Sequence, residues 1–511
     1  MSAETTIPRS PDGRLVAIVL ATACAGLTAA GAFLAGQPLI AVGALLVLPI
    51  AAMGLRYPES SLPLVLFLIY SNAVVVAVRF HGVPSVAAML VPVPLLIPFL
   101  YHVLLLRGPF VVGPALPWLL AFVGWQLISV MFSRMPQLAT EGLVTTICEG
   151  LLLYLLLTNV IRTPRTLKIS VWSLIAAGAF MGSVSVYQQA TRSFDSNLGG
   201  FGQLSDGRGF EVADGRGTVR QRRMSGPIGE KNRYAQIMLM LFPLAMSRVW
   251  VAQQLSLRGT AVWAALMIGA GATLTFSRSG AVAFVLMLGV AVMLRVVTRR
   301  QVALLALGGL VVLLAIPQYR VRLATIPAAI GLLDSSASQE EPDGAMRGRA
   351  TEMLAAARMA VDHPLFGVGP DCSGHYTREY GQAGGLRHLE GARESHCMYV
   401  ELPAENGVPG MLIFLGMLAV SLGSLVRGRN RLQRMSQFTV PEGEQFVDSA
   451  LQNELDQTAA ALLLAMTAYL VMGIFLHMSY VRYFWIMLAM VDACTLVIRR
   501  CESGSQIRRF A

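Results

Sequence analysis

Uncharged apolar runs near twenty residues long recur along almost the whole chain. At about 1.5 Å per helical residue, each is long enough to cross about 30 Å of hydrocarbon. The pattern predicts about fourteen spans: 15–35, 39–54, 62–78, 85–106, 115–132, 143–160, 169–190, 234–251, 260–276, 280–297, 302–316, 408–426, 459–477 and 483–498. The second, eleventh and last are short, so the expectation is an all-α integral membrane protein of about 12–14 transmembrane helices. The first run follows Arg9 and Arg14 like a signal peptide, but its apolar stretch is too long for one and is read as a span.

Two polar segments interrupt the pattern, at 191–233 and 317–407. The first is rich in Gly, Asp and Arg and regains order at RMSGPIGEKNRYAQIML, where a span begins. The second opens polar and then reads RGRATEMLAAARMAVDHP, a helical composition with one apolar stripe at Met353, Leu354, Ala357 and Val361. Pro364 stops that helix, LFGVGPD makes a turn, and a glycine-rich stretch leads to ESHCMYVELPAENGVPG at the head of the next span.

Composition agrees: 55% of the 511 residues are hydrophobic and 14% charged. The net charge is +11, and lysine occurs only at Lys168 and Lys231. In a soluble protein this balance would suggest nucleic acid. Here Arg56, Arg107, Arg162, Arg165, Lys168, Arg299, Arg300, Arg427, Arg429, Arg431, Arg434, Arg499 and Arg500 all fall on one side if the N-terminus is cytoplasmic. The same assignment returns the C-terminus to the cytoplasm. It divides the chain into a cytoplasmic N-terminus (1–14), a transmembrane scaffold (15–190), an external loop (191–233) and central helices (234–316). A large external loop (317–407), C-terminal helices (408–498) with a cytoplasmic loop at 427–458, and a tail (499–511) complete it.

Arginines that break the positive-inside rule need another explanation. Arg220, Arg222, Arg223, Arg347 and Arg349 all lie in external segments, and Arg278 sits in TFSRSG between two apolar runs. Burying a guanidinium there is costly unless an anion meets it or it snorkels to lipid phosphates. Two such forks, Arg278 and Arg349, suit a diphosphate. His396 offers a side chain whose ordinary pKa fits a general base, or merely a polar helix cap. Glu401 and Glu405 lie about 140° and 180° around an ideal helix from His396, so they could orient it only if the chain bends near Pro403 and Gly407. His363, His375, His388 and His396 lack metal-ligand spacing, no Asp-x-Asp pair occurs in either loop, and nucleotide motifs are absent. No metal and no cofactor is therefore expected. Glu149 and Asp492 are intramembrane carboxylates, read either as functional or as partners of an arginine. Cys372 and Cys397 share the large external loop, where a disulfide would be chemically permitted.

The ordered set of motifs resembles the bacterial O-antigen ligase and O-antigen polymerase superfamily of membrane glycosyltransferases. It comprises Arg223-x-x-Gly226 with Asn232-x-x-Ala235, then Ser277-Arg278-Ser279-Gly280, then Gly348-Arg349 before His363-Pro364-Leu365-Phe366-Gly367-Val368-Gly369. His396-x-x-Tyr399, Glu401, Glu405, Gly407 and Gly410 follow, ahead of a span. The resemblance implies metal-independent, inverting transfer of a glycan from a polyprenyl-diphosphate carrier, undecaprenyl diphosphate in bacteria, to a hydroxyl. The acceptor would be lipid A-core or a lipid-linked glycan, at the periplasmic face of the inner membrane, in lipopolysaccharide or other surface-polysaccharide assembly. It also implies catalytic roles for His396, Arg278 and Arg349, and substrate contacts from Arg223, Asn232, Arg278, Arg349, Tyr399 and Glu405. The partners expected are these lipid-linked glycans and the bilayer, with no nucleic acid. A polysaccharide transporter or flippase is the alternative, and would show pseudo-repeats, broken helices and paired charges at the midplane.

Overall fold

A computed structural model describes residues 58–205, 210–213, 218–298, 344–383, 393–435, 449–478 and 482–503, with parts of 300–309. The predicted spans at 15–35 and 39–54, most of that at 302–316, and the tail beyond 503 lie outside the described residues.

The protein is an all-α integral membrane protein. Among the described residues, seven helices are long and apolar enough to cross a membrane: Ala88–Leu105, Pro136–Val160, Pro164–Thr191, Lys231–Val251, Leu255–Thr273, Met398–Met435 and Ser449–Met472. Leu116–Phe132 and Arg278–Met293 are shorter apolar helices, and Arg482–Glu502 is a helix buried along most of its length. The run predicted as one span at 62–78 is instead two helices, Ser61–Tyr70 and Ala73–His81, bent by 58°. The bend sits at Asn72, which takes a left-handed conformation (φ 57°) and lends its amide to Pro227 O and Arg482. The predicted external loop at 191–233 is not wholly irregular. It carries two small antiparallel ribbons, Gln203–Leu204 with Met224–Gly226 and Phe210–Ala213 with Thr218–Gln221.

Lipid tails are as apolar as leucine, so helices in a membrane associate through close backbone approach and satisfied polar groups. Gly182 on Pro164–Thr191 lies so close to Leu255–Thr273 that a methyl there would meet Met267 O at 2.1 Å. Asp492 ties helices together by accepting from Tyr154 Oη (2.5 Å), Ala115 N (2.7 Å) and Ser421 Oγ. Glu149 pairs with Arg482 at 3.5 Å, so the arginine-partner reading of this carboxylate is the one realised. Phe414, Phe484 and Trp485 pack ring on ring in the same core.

The two ends of the bundle differ. At one, Arg248 pairs with Glu454 (2.7 Å), Arg429 with Asp456 (3.0 Å), Lys168 with Glu454 (3.2 Å) and Arg431 with Glu502 (3.1 Å). At the other, the helices that start at Lys231 and Met398 meet the Gly473–Met478 turn, and the Gly344–Asp362 helix brings Glu352 to His396. That second end holds the candidate site.

The Gly344–Asp362 helix forms where composition predicts it, but it turns a different face inward. Thr351, Glu352, Ala355, Ala356 and Met359 are buried, while Leu354 is 49% and Val361 76% exposed. The turn after it docks, backbone to backbone, on a break in the Met398–Met435 helix. Val368 N donates to Ala404 O (2.8 Å), Gly369 N to Glu405 O (3.1 Å) and Val408 N to Pro364 O (2.8 Å). Gly407 permits the break with φ 68° and ψ 175°, a conformation open essentially to glycine alone. Substituting Gly407 by Ala should cost about 1–3 kcal/mol in backbone strain, beyond the collision of its methyl with Leu365 O at 1.9 Å. Thermal unfolding in detergent should show a clear drop for Gly407→Ala and none for Gly289→Ala, whose methyl meets open space. Equal midpoints would refute this view of the dock.

Candidate active site

The first component is the turn that presents Arg278. Leu274–Ser277 connects two helices, and Phe276 is forced to a positive φ of 50°. Arg223 holds this strained turn. It is buried, and its guanidinium donates to Thr275 O (2.9 Å) and Phe276 O (3.2 Å). Ser277 caps the helix that opens with Arg278, accepting from Gly280 N at 3.2 Å and donating to Asn232 Oδ1 at 2.9 Å. Arg278 itself is half-buried at the first position of the helix. Arg223 and Asn232, two residues singled out from sequence as substrate contacts, thus both grip the turn that carries Arg278.

The second component is His396. Its Nδ1 lies 3.1 Å from Glu352 Oε2 and 3.1 Å from the backbone oxygen of Glu394. The Glu394 backbone oxygen can only accept, which makes Nδ1 the donor. In the neutral ring Nε2 then carries the lone pair. Glu352 stands three residues after Arg349, which puts both on one face of the helix. The buried Glu352 carboxylate raises the pKa of His396 above the ordinary imidazole value. Burial opposes the shift, and so does the nearby charge of Arg349. The structure therefore brings Arg349 to His396, whereas Arg278 enters from a separate turn.

The bend near Gly407 does exist, yet the glutamates of the same helix do not orient His396. Glu401 accepts from Met478 N (2.6 Å), and Glu405 accepts from Ser373 Oγ (2.8 Å). Tyr399 donates to Leu470 O at 2.8 Å. These three hold the His396 segment against its neighbours.

Four polar residues at the site were missed by the sequence reading: Glu352, Arg233, Glu394 and His477. His477 Nδ1 lies 2.9 Å from Glu394 Oε2, its Nε2 is 3.1 Å from Arg233 Nη2, and its ring centre is 6.1 Å from that of His396. Glu394, Glu401 and His477 offer ligand-type atoms within 4.8 Å of one another. Arg233 reaches this cluster through His477, donating to its Nε2 and its backbone oxygen. No spacing rule could reveal this group, because its members come from three distant segments. The usable signal was that Arg233 adjoins Asn232 and Glu394 adjoins Ser395-His396.

Cys372 and Cys397 are both unbridged. Cys372 is turned toward Pro370 O (3.4 Å) and Ser133, and burial pushes its thiol up to about 12. Burial also raises the Cys397 thiol. The disulfide considered from sequence does not form in this structure.

Residues 263–415 match the family described as O-antigen ligase. No curated protein matches the chain. The matched segment takes in the Arg278 turn, the Arg349 helix and His396, and leaves Arg223, Arg233 and His477 outside.

Arg223→Met would leave two buried carbonyls without their charged donor, at a cost on the order of 2–3 kcal/mol. The expected result is a lower unfolding midpoint and faster proteolysis between residues 273 and 278. Wild-type values for both would remove Arg223 from its bracing role.

Proposed function

We propose, from the match of residues 263–415 to the family described as O-antigen ligase, that this chain transfers a glycan from a polyprenyl-diphosphate carrier to a hydroxyl acceptor. The family indicates ligase- or polymerase-type activity in surface-polysaccharide assembly by a membrane glycosyltransferase-like enzyme. The donor, the acceptor and the periplasmic placement of the site are our reading. So are the inner-membrane location and the cytoplasmic termini, which rest on the arginine-rich end of the bundle facing the cytoplasm.

One observation carries the chemical part: a single helix face presents Arg349 and Glu352 to His396, leaving Nε2 as the basic nitrogen. In the proposed reaction Nε2 takes the proton of the acceptor hydroxyl. The oxygen attacks the anomeric carbon from the face opposite the diphosphate, the carbon–oxygen bond to the carrier breaks, and the polyprenyl diphosphate leaves with the electron pair. The anomeric configuration inverts. Glu352 stabilises the imidazolium, and Arg278 and Arg349 neutralise the departing diphosphate without a metal. Arg223 and Asn232 serve the donor by fixing the Arg278 turn, while Tyr399 and Glu405 shape the acceptor wall.

A transporter would exploit the broken span at Asn72. Its break is instead tied to Pro227 and Arg482, as expected of a scaffold.

In a strain lacking the gene, His396→Ala or Arg278→Ala should reduce surface glycan assembly on the order of a hundredfold relative to the wild-type copy. Accumulation of carrier-linked polymer would identify a ligase, and of single repeats a polymerase. Full assembly by both variants would sink the proposal. The pH dependence gives a second check. The neutral imidazole is the working form, so the rate falls as pH drops through a pKa held above the ordinary value. Glu352→Gln removes the largest cause of that elevation, so the acid limb should move to lower pH while the maximum rate drops. An unmoved limb would separate Glu352 from His396 chemistry.

A further inference from the structure

The two components of the site are joined by neighbouring residues, Asn232 and Arg233, at the start of the Lys231–Val251 helix. Glu230 caps this helix start, accepting from Asn232 N (3.0 Å) and Arg233 N (2.5 Å), so both side chains leave one rigid turn. Asn232 reaches Ser277 of the Arg278 turn. Arg233 is buried and reaches the other way, donating to His477 Nε2 and to His477 O, each at 3.1 Å.

A guanidinium can only donate, so His477 Nε2 must accept. The His477 proton then sits on Nδ1, 2.9 Å from Glu394 Oε2. Glu394 in turn offers its backbone oxygen to His396 Nδ1 at 3.1 Å. The middle link is an ion-pair contact, and the last one, to a main-chain oxygen that only accepts, leaves Nε2 of His396 basic. We propose that Arg233, His477 and Glu394 form a positioning relay that fixes the orientation of His396 and keeps it in register with the Arg278 turn through Asn232.

This inference rests on the general-base reading of His396 and adds three residues to it. Burial lowers the His477 pKa, in keeping with a neutral ring that accepts from Arg233, and the contact with His477 lowers that of Glu394. The groups facing His396 are Arg349 and Glu352 from one helix, Arg393 and Glu394 from its own segment, and His477 with Arg233 behind it. Arg393 contacts Glu352 at 3.5 Å. The relay also accounts for Arg233 as a buried cation at the end of the bundle opposite the arginine-rich one.

The test compares Arg233→Met, which removes the donor, with Arg233→Lys and Arg233→Gln, which retain one. Turnover is measured with purified enzyme, polyprenyl-diphosphate-linked glycan and acceptor. Arg233→Met should lower kcat by about tenfold or more with donor KM within about twofold, and Lys or Gln should restore most of the loss. A gel-filtration profile like that of the wild type accompanies each variant. Wild-type kcat in Arg233→Met, or an equal loss in all three, overturns the relay. His396→Ala distinguishes the two levels. Full activity there overturns the base and the relay together, whereas an inactive His396→Ala beside a fully active Arg233→Met overturns the relay alone.

Discussion

The His396 half of the site depends on a close approach of two stretches of backbone, Pro364–Gly369 and Ala404–Val408. Three main-chain hydrogen bonds join them, and glycines at 367 and 407 make room. A methyl on Gly367 would come within 2.3 Å of the Glu405 carbonyl carbon. Ser129 adds a donor to Phe366 O at 2.6 Å, and the Phe366 ring stacks on Phe132 with centres 4.2 Å apart. The dock sets the Gly344–Asp362 helix against the segment headed by His396. Beside it, Ala355, Ala356 and Met359 of that helix pack with Ala404, and together these contacts hold Glu352 against His396.

The sequence made the membrane architecture legible because crossing hydrocarbon demands long uncharged runs, and those survive any detail of packing. The Arg278 turn, the Arg349 helix, the glycine turn and His396 were each legible as motifs. What failed was orientation. The apolar stripe at Met353, Leu354, Ala357 and Val361 was legible, but Leu354 and Val361 are exposed while Thr351, Glu352, Ala355, Ala356 and Met359 are buried. Glu352 lies on that buried face, which no apolar pattern marks. The partner of His396 was sought among Glu401 and Glu405, nearby in sequence, whereas the fold supplies one from a different helix. The break at Asn72 was also invisible, because an apolar run looks the same whether or not a single residue turns left-handed.

The two ends of the bundle use arginine differently. At one end Arg248, Arg429 and Arg431 pair with carboxylates in simple ion pairs. At the other end Arg223 spends its charge on main-chain oxygens to hold a strained turn, and Arg233 aims at a histidine. These arrangements fix the positions of polar atoms in advance. The Asn232–Arg233 pair is the physical link between the Arg278 turn and His477.

The most direct test of the account is an experimental structure of the protein in a lipid nanodisc with a polyprenyl-diphosphate-linked glycan bound. The account requires the diphosphate between Arg278 and Arg349, with His396 Nδ1 still on Glu352 and Nε2 facing the anomeric carbon. A diphosphate bound away from both arginines, or a His396 whose Nε2 points into the protein, would contradict it.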